Sequence, residues 1–351
     1  MRVKPMTYVL CVFMIVLIGR STVFAQPPVS KSKKPVTIRL VCPAPEGDWP
    51  LNFKDQEFAK RFNERAKGEY VIQVISGGAL VKLPEYVDAI RTGVVEMADA
   101  PVGMYSFLDQ RLGLLELPFL FDFMFAAISA IPELEATYDR LYQQRFNARM
   151  MGLMYTGGLQ LFSTKPVRKL EDWRGLMVGS FSPSVSALVK GLGGSPVSIM
   201  WVDMYEALQR KVIDAAGQGT HGGIVTGLHE ICKHVTMFLG VAAWNAYLVN
   251  LDVWNRMPKH IQEIFEEEAH KAAVWMTDVT ANQLFDMDMK ALREKRVEVY
   301  FLSQMERERW KRALLSFVEQ ELQKAGETGQ LVRKVADEHN RKHAYSEKGL
   351  Y

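Results

Sequence analysis

The stretch Tyr70-Val-Ile-Gln-Val-Ile75, closed by Gly77-Gly78, decides the fold class. β-branched and aromatic side chains fill five of its six positions, and the glycines behind them can take turn backbone that other residues avoid. It reads as a strand. Upstream, Val36–Val41 alternates β-branched and polar residues in the manner of a half-buried strand. Between the two, residues 51–66 set Leu51, Phe53, Phe58, Ala59 and Phe62 on one helical face with charges opposite. Downstream, Leu83–Thr92 predicts a helix and Glu96-Met-Ala-Asp-Ala100 a third strand. The order β-α-β-α-β predicts a parallel sheet with covering helices.

The pattern recurs. Leu176–Val178 predicts a strand, 184–192 a helix, Val197–Met200 a strand, 202–211 a helix and Ile213–Ala216 a strand. The fold class expected is therefore α/β in two lobes, each a mixed, mostly parallel sheet with flanking helices. Residues 36–155 would form the first lobe, with 243–257 returning to it, and 156–242 the second. From Pro258 to about 297 the chain is helical in pattern and free of further Gly or Pro, long enough to cross both lobes. Residues 298–345 are expected to add charged, amphipathic C-terminal helices.

The N-terminus predicts an address. Arg2 and Lys4 precede an apolar run from Tyr8 to Ile18, and Val23-Phe24-Ala25 offers a small-x-small cleavage step. Residues 1–25 thus read as a signal peptide cut after Ala25, and 26–35 as a flexible leader, placing the mature chain in the periplasm. The apolar run is short for a membrane helix, which needs about 20 residues. The formal charge of +3 comes from Arg2, Lys4 and Arg20. Without them 40 basic residues balance 40 acidic ones, so charge gives no reason to expect nucleic acid as a partner.

Catalytic chemistry has little to stand on. Walker, GxSxG, HExxH and paired CxxC motifs are all missing, so no enzyme activity is expected. His221, His229, Cys232 and His234 cluster in sequence, but their spacing matches no standard zinc site. Neither metal nor cofactor is expected. Cys42 and Cys232 could pair in an oxidising compartment, although sequence gives that no geometric warrant.

Five stretches, in order, resemble one family. They are Tyr86-Val-Asp-Ala-Ile-Arg-Thr-Gly-Val-Val-Glu-Met-Ala98 with Leu117-Pro-Phe-Leu-Phe121; Ser163–Leu176; Leu192-Gly-Gly-Ser-Pro-Val197; Tyr205-Glu-Ala-Leu-Gln-Arg-Lys-Val-Ile-Asp214; and Trp254-Asn-Arg-Met-Pro-Lys-His-Ile-Gln262. Together they resemble the extracytoplasmic solute-binding subunit of TRAP (tripartite ATP-independent periplasmic) transporters, DctP type. The resemblance implies a two-lobed receptor that closes on a small ligand and hands it to a membrane permease driven by an ion gradient. A receptor for an ATP-driven importer shares the two-lobed design, but the long helix after Pro258 argues against it. An exported enzyme is the remote rival.

The chain departs from the family at its ligand positions. The family's carboxylate-clamping Arg falls on Gly179, a second basic position on Leu159, and a Gln-Glu-Asn on Ala216-Gly217-Gln218, whereas the usual aromatic is kept as Trp201. A buried carboxylate without a cation costs several kcal/mol. The ligand expected is therefore neutral or hydrophobic, held by Trp201, Phe181, Leu159, Tyr155, Trp244 and Tyr247 around Gly179, with Gln218 and Ser182 orienting it. The competing expectation is an organic acid clamped by a relocated Arg91, Arg168 or Arg174. Some family members work with a TPR-repeat accessory protein and are thought to handle hydrophobic ligands, which makes that subgroup a natural comparison.

Overall fold

The computed structural model describes residues 34–343, so the signal-peptide reading lies outside the described residues, as does most of the leader. The parallel core forms where the sequence places it. Strands β1 (Val36–Val41) and β2 (Tyr70–Ile75) pair parallel over their full length, from Val36 opposite Tyr70 to Val41 opposite Ile75. β3 (Met97–Pro101) joins the other edge of β1, also parallel. In the second lobe β5 (Met177–Ser180) lies parallel to β6 (Ser195–Ser198) and to β7 (Ala215–Gly219).

What joins the lobes is a strand that sequence did not announce. β4 (Ala148–Ser163) pairs antiparallel with β9 (Ala242–Asn250) through its first half and with β7 and β8 (His234–Met237) through its second. The expected boundary at 155/156 falls inside it. Its register against β9 shifts between Met151 and Met154 and again between Tyr155 and Gly157. Glycine is required at both shifts. Gly152 (φ 62°) leaves room for the carbonyl of Ala269 and the Cβ of Ala273, while Gly157 sits at φ 117°. Such bulges bend a strand and re-aim its side chains.

Each sheet is covered on both faces. Along β9, Trp244, Ala246 and Leu248 enter one core with Tyr86, Tyr138 and Tyr142, while Tyr247 and Val249 enter the opposite core with Phe58, Phe62 and Phe265. This is the period-two alternation of a strand buried on both sides. The second sheet divides likewise, with Trp173 and Trp310 on one face and Phe162, Met204 and Cys232 on the other.

Two expectations need correction at the C-terminal end. The long helix is not continuous α-helix: Lys259–Val279 runs into a π turn, Thr280–Leu284, and resumes as Phe285–Glu294. Its rise is still about 54 Å. The first part packs on Leu51–Arg65 and β4, the last part on Thr220–Val225 and on the strand Glu298–Phe301. Residues 298–345 are not all helical either. Glu298–Phe301 forms β10, parallel to β8, before helices Gln304–Lys324 and Glu327–Lys342. Its Glu-Val-Tyr-Phe is too short to show a period. Cys42 and Cys232 are both free and buried, and burial pushes the Cys232 thiol up to about 12. No helix among the described residues is long and apolar enough to cross a membrane.

Candidate functional site

The lobes face each other across a cavity of about 1030 Å³. Three devices build it. The crossing strands contribute Tyr155, Gly157, Gly158 and Trp244, turned inward where β4 bulges. The long helix contributes Met276 from its α-helical part and Thr280 and Leu284 from its π turn, where the buried Thr280 hydroxyl has no hydrogen-bond partner. Each lobe then supplies a wall: Glu116, Phe121 and Met124 from the first, Phe181, Trp201 and Gln218 from the second.

Five expected ligand residues line the cavity: Trp201, Gln218, Phe181, Tyr155 and Trp244. Four do not. A Cβ on Gly179 would point at Cδ1 of Ile213 (2.9 Å) and at Met204 (3.4 Å), into the lobe core rather than the cleft. Leu159 is a core residue, 4% exposed, while its neighbour Gln160 lines the cavity. A one-residue step on a strand exchanges faces, and that step separates the expectation from the structure. Ser182 Oγ accepts from the backbone N–H of Val185 and caps helix Pro183–Gly191. Tyr247, on the opposite face of β9, donates from its hydroxyl to Asp55 Oδ1 at 2.8 Å.

The relocated clamp has no geometry behind it. Arg91 pairs with Asp88 on the surface, Arg168 with Glu298, and neither they nor Arg174 line the cavity. Among the described residues no Lys or Arg lines it at all, whereas Asp48, Glu116, Asp286 and Asp288 do. Sequence reasoning missed all four. Glu116 had a signal, a lone carboxylate inside the apolar run Leu114-Leu115-Glu116-Leu117-Pro118-Phe119. It is 7% exposed and packs on Gly103, where an added Cβ would lie 2.0 Å from its carboxyl carbon. Burial pushes its carboxyl up to about 7, offset only by the backbone N–H of Gly103.

His221, read in sequence as part of a weak metal pattern, has another role. Its Nε2 donates to the carbonyl of Trp49 at 2.9 Å, and its Nδ1 meets Asp288 Oδ1 at 3.0 Å. A backbone carbonyl can only accept, so Nε2 must carry hydrogen. Burial alone would lower the His221 pKa, but the bond to Asp288 and its charge, with the Trp49 carbonyl and Asp48, raise it. Burial holds Asp288 above its ordinary value despite His221. We place the proton on the ring, because both nitrogens then donate to the acceptors that face them. The bond ties the first lobe's loop before Leu51–Arg65 to the second lobe.

Behind the wall lies the one cluster of three potential metal ligands among the described residues, Cys42, Asp55 and Asp99. The Lys54 ammonium is 2.9 Å from both carboxylates and already supplies a cation there.

Two α/β lobes bridged by crossing strands and one long helix, with a cavity between them, define a solute-binding receptor of the periplasmic-binding kind. Residues 47–324 match the model of DctP, bacterial extracellular solute-binding protein, family 7, and the chain belongs to that family. It is 24% identical over 315 residues to the C4-dicarboxylate-binding periplasmic protein DctP of Rhodobacter capsulatus, spanning 85% of this chain and 90% of that one. A Haemophilus influenzae relative, 24% identical, matches over 60% of this chain and 65% of its own length. In fold the chain is similar to DctP7 of Bordetella pertussis, a receptor binding pyroglutamic acid (TM-score 0.81, 17% identity, 86% of this chain and 99% of that one). It is also similar to DctPAm of Advenella mimigardefordensis in complex with galactonate (TM-score 0.80, 19% identity, 87% and 99%). The family and these neighbours are solute receptors, not enzymes.

Proposed function

We propose that this chain is the periplasmic receptor of a TRAP-type transporter whose cargo is neutral or hydrophobic, not an organic anion. Solute is captured between the lobes and handed to a membrane permease driven by an ion gradient. The observation that carries the reading is the cavity lining: aromatic walls, four carboxyl groups and no Lys or Arg among the described residues. A bound carboxylate would be desolvated beside like charge with no free cation to pair with, since the charged His221 ring already spends both nitrogens on Asp288 and the Trp49 carbonyl, at a cost of several kcal/mol. An apolar body would instead gain from leaving water against Trp201, Phe181, Tyr155 and Trp244, with few polar groups to orient it. Closure follows because a ligand touching both lobes binds the closed state better than the open one. A TPR-repeat accessory protein, which would shield such a cargo during transfer, fits this reading.

Native mass spectrometry of the purified protein, followed by extraction and identification of the co-purifying molecule, is the test. A neutral or apolar compound at one per chain is expected. An organic acid at that stoichiometry would overturn the reading.

A further inference from the structure

Of the cleft's buried polar atoms without a partner, Asp48 Oδ1 and Gln218 Oε1 only accept hydrogen bonds, and the Thr280 hydroxyl can accept as well as donate. Glu116 is 7% exposed, lies in the cavity wall and meets no basic side chain; the Gly103 N–H is its one hydrogen-bond donor. Asp48, also in the wall, has a buried Oδ1 with no partner. Gln218 uses its Nε2 on Thr226 Oγ1 and leaves Oε1 buried and unpaired. Around Glu116 the wall is aromatic. Trp244 donates its indole N–H to the carbonyl of Leu115, next in sequence to Glu116, and meets Tyr155 and Phe121 edge-on at 5.9 and 6.1 Å. A carboxyl in a cavity wall that also carries aromatic rings offers an organic ammonium group a charged hydrogen bond and cation–π contact.

We infer that the ligand presents an amine nitrogen to Glu116, so that the receptor selects an apolar-bodied organic amine. This rests on the reading of the cavity as a site for an apolar, non-anionic solute and adds a head group to it. The pair formed is neutral as a whole, which is why a wall lacking Lys and Arg can hold it. Glu116 sets specificity; the aromatic walls carry the body.

The test uses three probes of one chain length, n-octylamine, 1-octanol and octanoate, titrated calorimetrically into the purified protein. Octylamine is expected to bind at least about tenfold more tightly than octanol at pH 8, as a hydrogen bond to a charged group warrants. Glu116→Gln should remove that preference without weakening octanol, and Glu116→Asp should keep part of it; an unchanged melting midpoint shows that the variants fold. The pH profile separates mechanisms. An ammonium needs the ionised carboxylate, so octylamine affinity should rise from pH 6 to 8 as Glu116 titrates near 7. The other titratable groups against Glu116 are the Tyr138 and Tyr142 phenols, both raised by burial and neutral throughout that range. His221 and Asp288 also line the cavity and are controlled for with His221→Gln. Octanol binding as tightly as octylamine, no octylamine binding, or a Glu116→Gln variant that keeps the preference would each overturn the inference and leave the apolar-cargo reading standing. Octanoate binding most tightly would overturn both.

Discussion

The first lobe buries acidic groups in two places and treats them oppositely. At Lys54, Asp55 and Asp99 the three side chains are fully buried, and the ammonium lies 2.9 Å from each carboxylate. Tyr247 donates to Asp55, Asn245 donates to Asp99, and the Lys54 ammonium lies 4.7 Å from the Tyr247 ring centre. At Glu116 the chain supplies a backbone N–H and no cation. The sites are neighbours through Asn245, which lines the cavity and binds Asp99. A buried charge must find a partner. Where the protein provides it the cluster is closed and structural; where it does not, the partner comes from solvent or ligand.

Breaking the closed cluster should have the largest effect. Lys54→Met leaves Asp55 and Asp99 buried together without their cation, and should lower stability by about 3–5 kcal/mol in urea unfolding at pH 7. Burial already holds the Asp55 carboxyl above its ordinary range, with Lys54 opposing, so the loss should shrink toward acid pH where that carboxyl protonates. A loss under about 1 kcal/mol would mean that the cluster is no more structural than a surface pair.

The same experiment at Glu116 should go the other way. Its folded-state value of about 7 stands above the usual carboxylate range. Between those values the folded chain holds a proton that the unfolded chain has lost, so ligand-free stability falls as pH rises, by roughly 3–4 kcal/mol in all. Glu116→Gln should abolish that fall and be at least as stable as the parent at pH 8. If unfolding curves show instead that Glu116→Gln destabilises the ligand-free protein, the carboxylate is paired inside the fold and the contrast with Lys54 fails.

This contrast also marks what could be read from the chain. The parallel strands were legible because Val36–Val41 and Tyr70–Ile75 carry strand periodicity with turn residues behind them. β4 was not, because Ala148–Ser163 is buried on both faces and shows no alternation. The π turn leaves no mark in the Thr-Ala-Asn-Gln-Leu that forms it. In the site, Trp201 and Gln218 could be placed by the resemblance, whereas Leu159 and Tyr247 were lost to the direction a strand residue faces. The acidic lining was unreadable for a further reason. Asp48, Glu116 and Asp288 are far apart in sequence, and only the closing of two lobes makes one wall of them.

The smallest effect, and the finest test of how the lobes close, is at His221. Its bond to the Trp49 carbonyl joins the lobes, and the bond to Asp288 holds the ring charged. Opening the cleft would remove the Trp49 carbonyl and the Asp48 charge, which raise the histidine's pKa, and would also relieve the burial that lowers it. The first effect is expected to outweigh the second, so that the pKa is higher closed than open. The stabilisation of the closed state is then fully present below the open-state value and lost as pH rises through the raised closed-state one. Measured in a Glu116→Gln background, so that one titrating switch remains, octanol affinity should fall several-fold from pH 6 to 8, about 1 kcal/mol. His221→Gln can still donate to Trp49 but cannot titrate. It should flatten the profile at little cost in affinity, while His221→Ala should lose affinity at both pH values. A profile that stays sloped in His221→Gln would assign the pH dependence to another group and reduce the bridge to a passive contact.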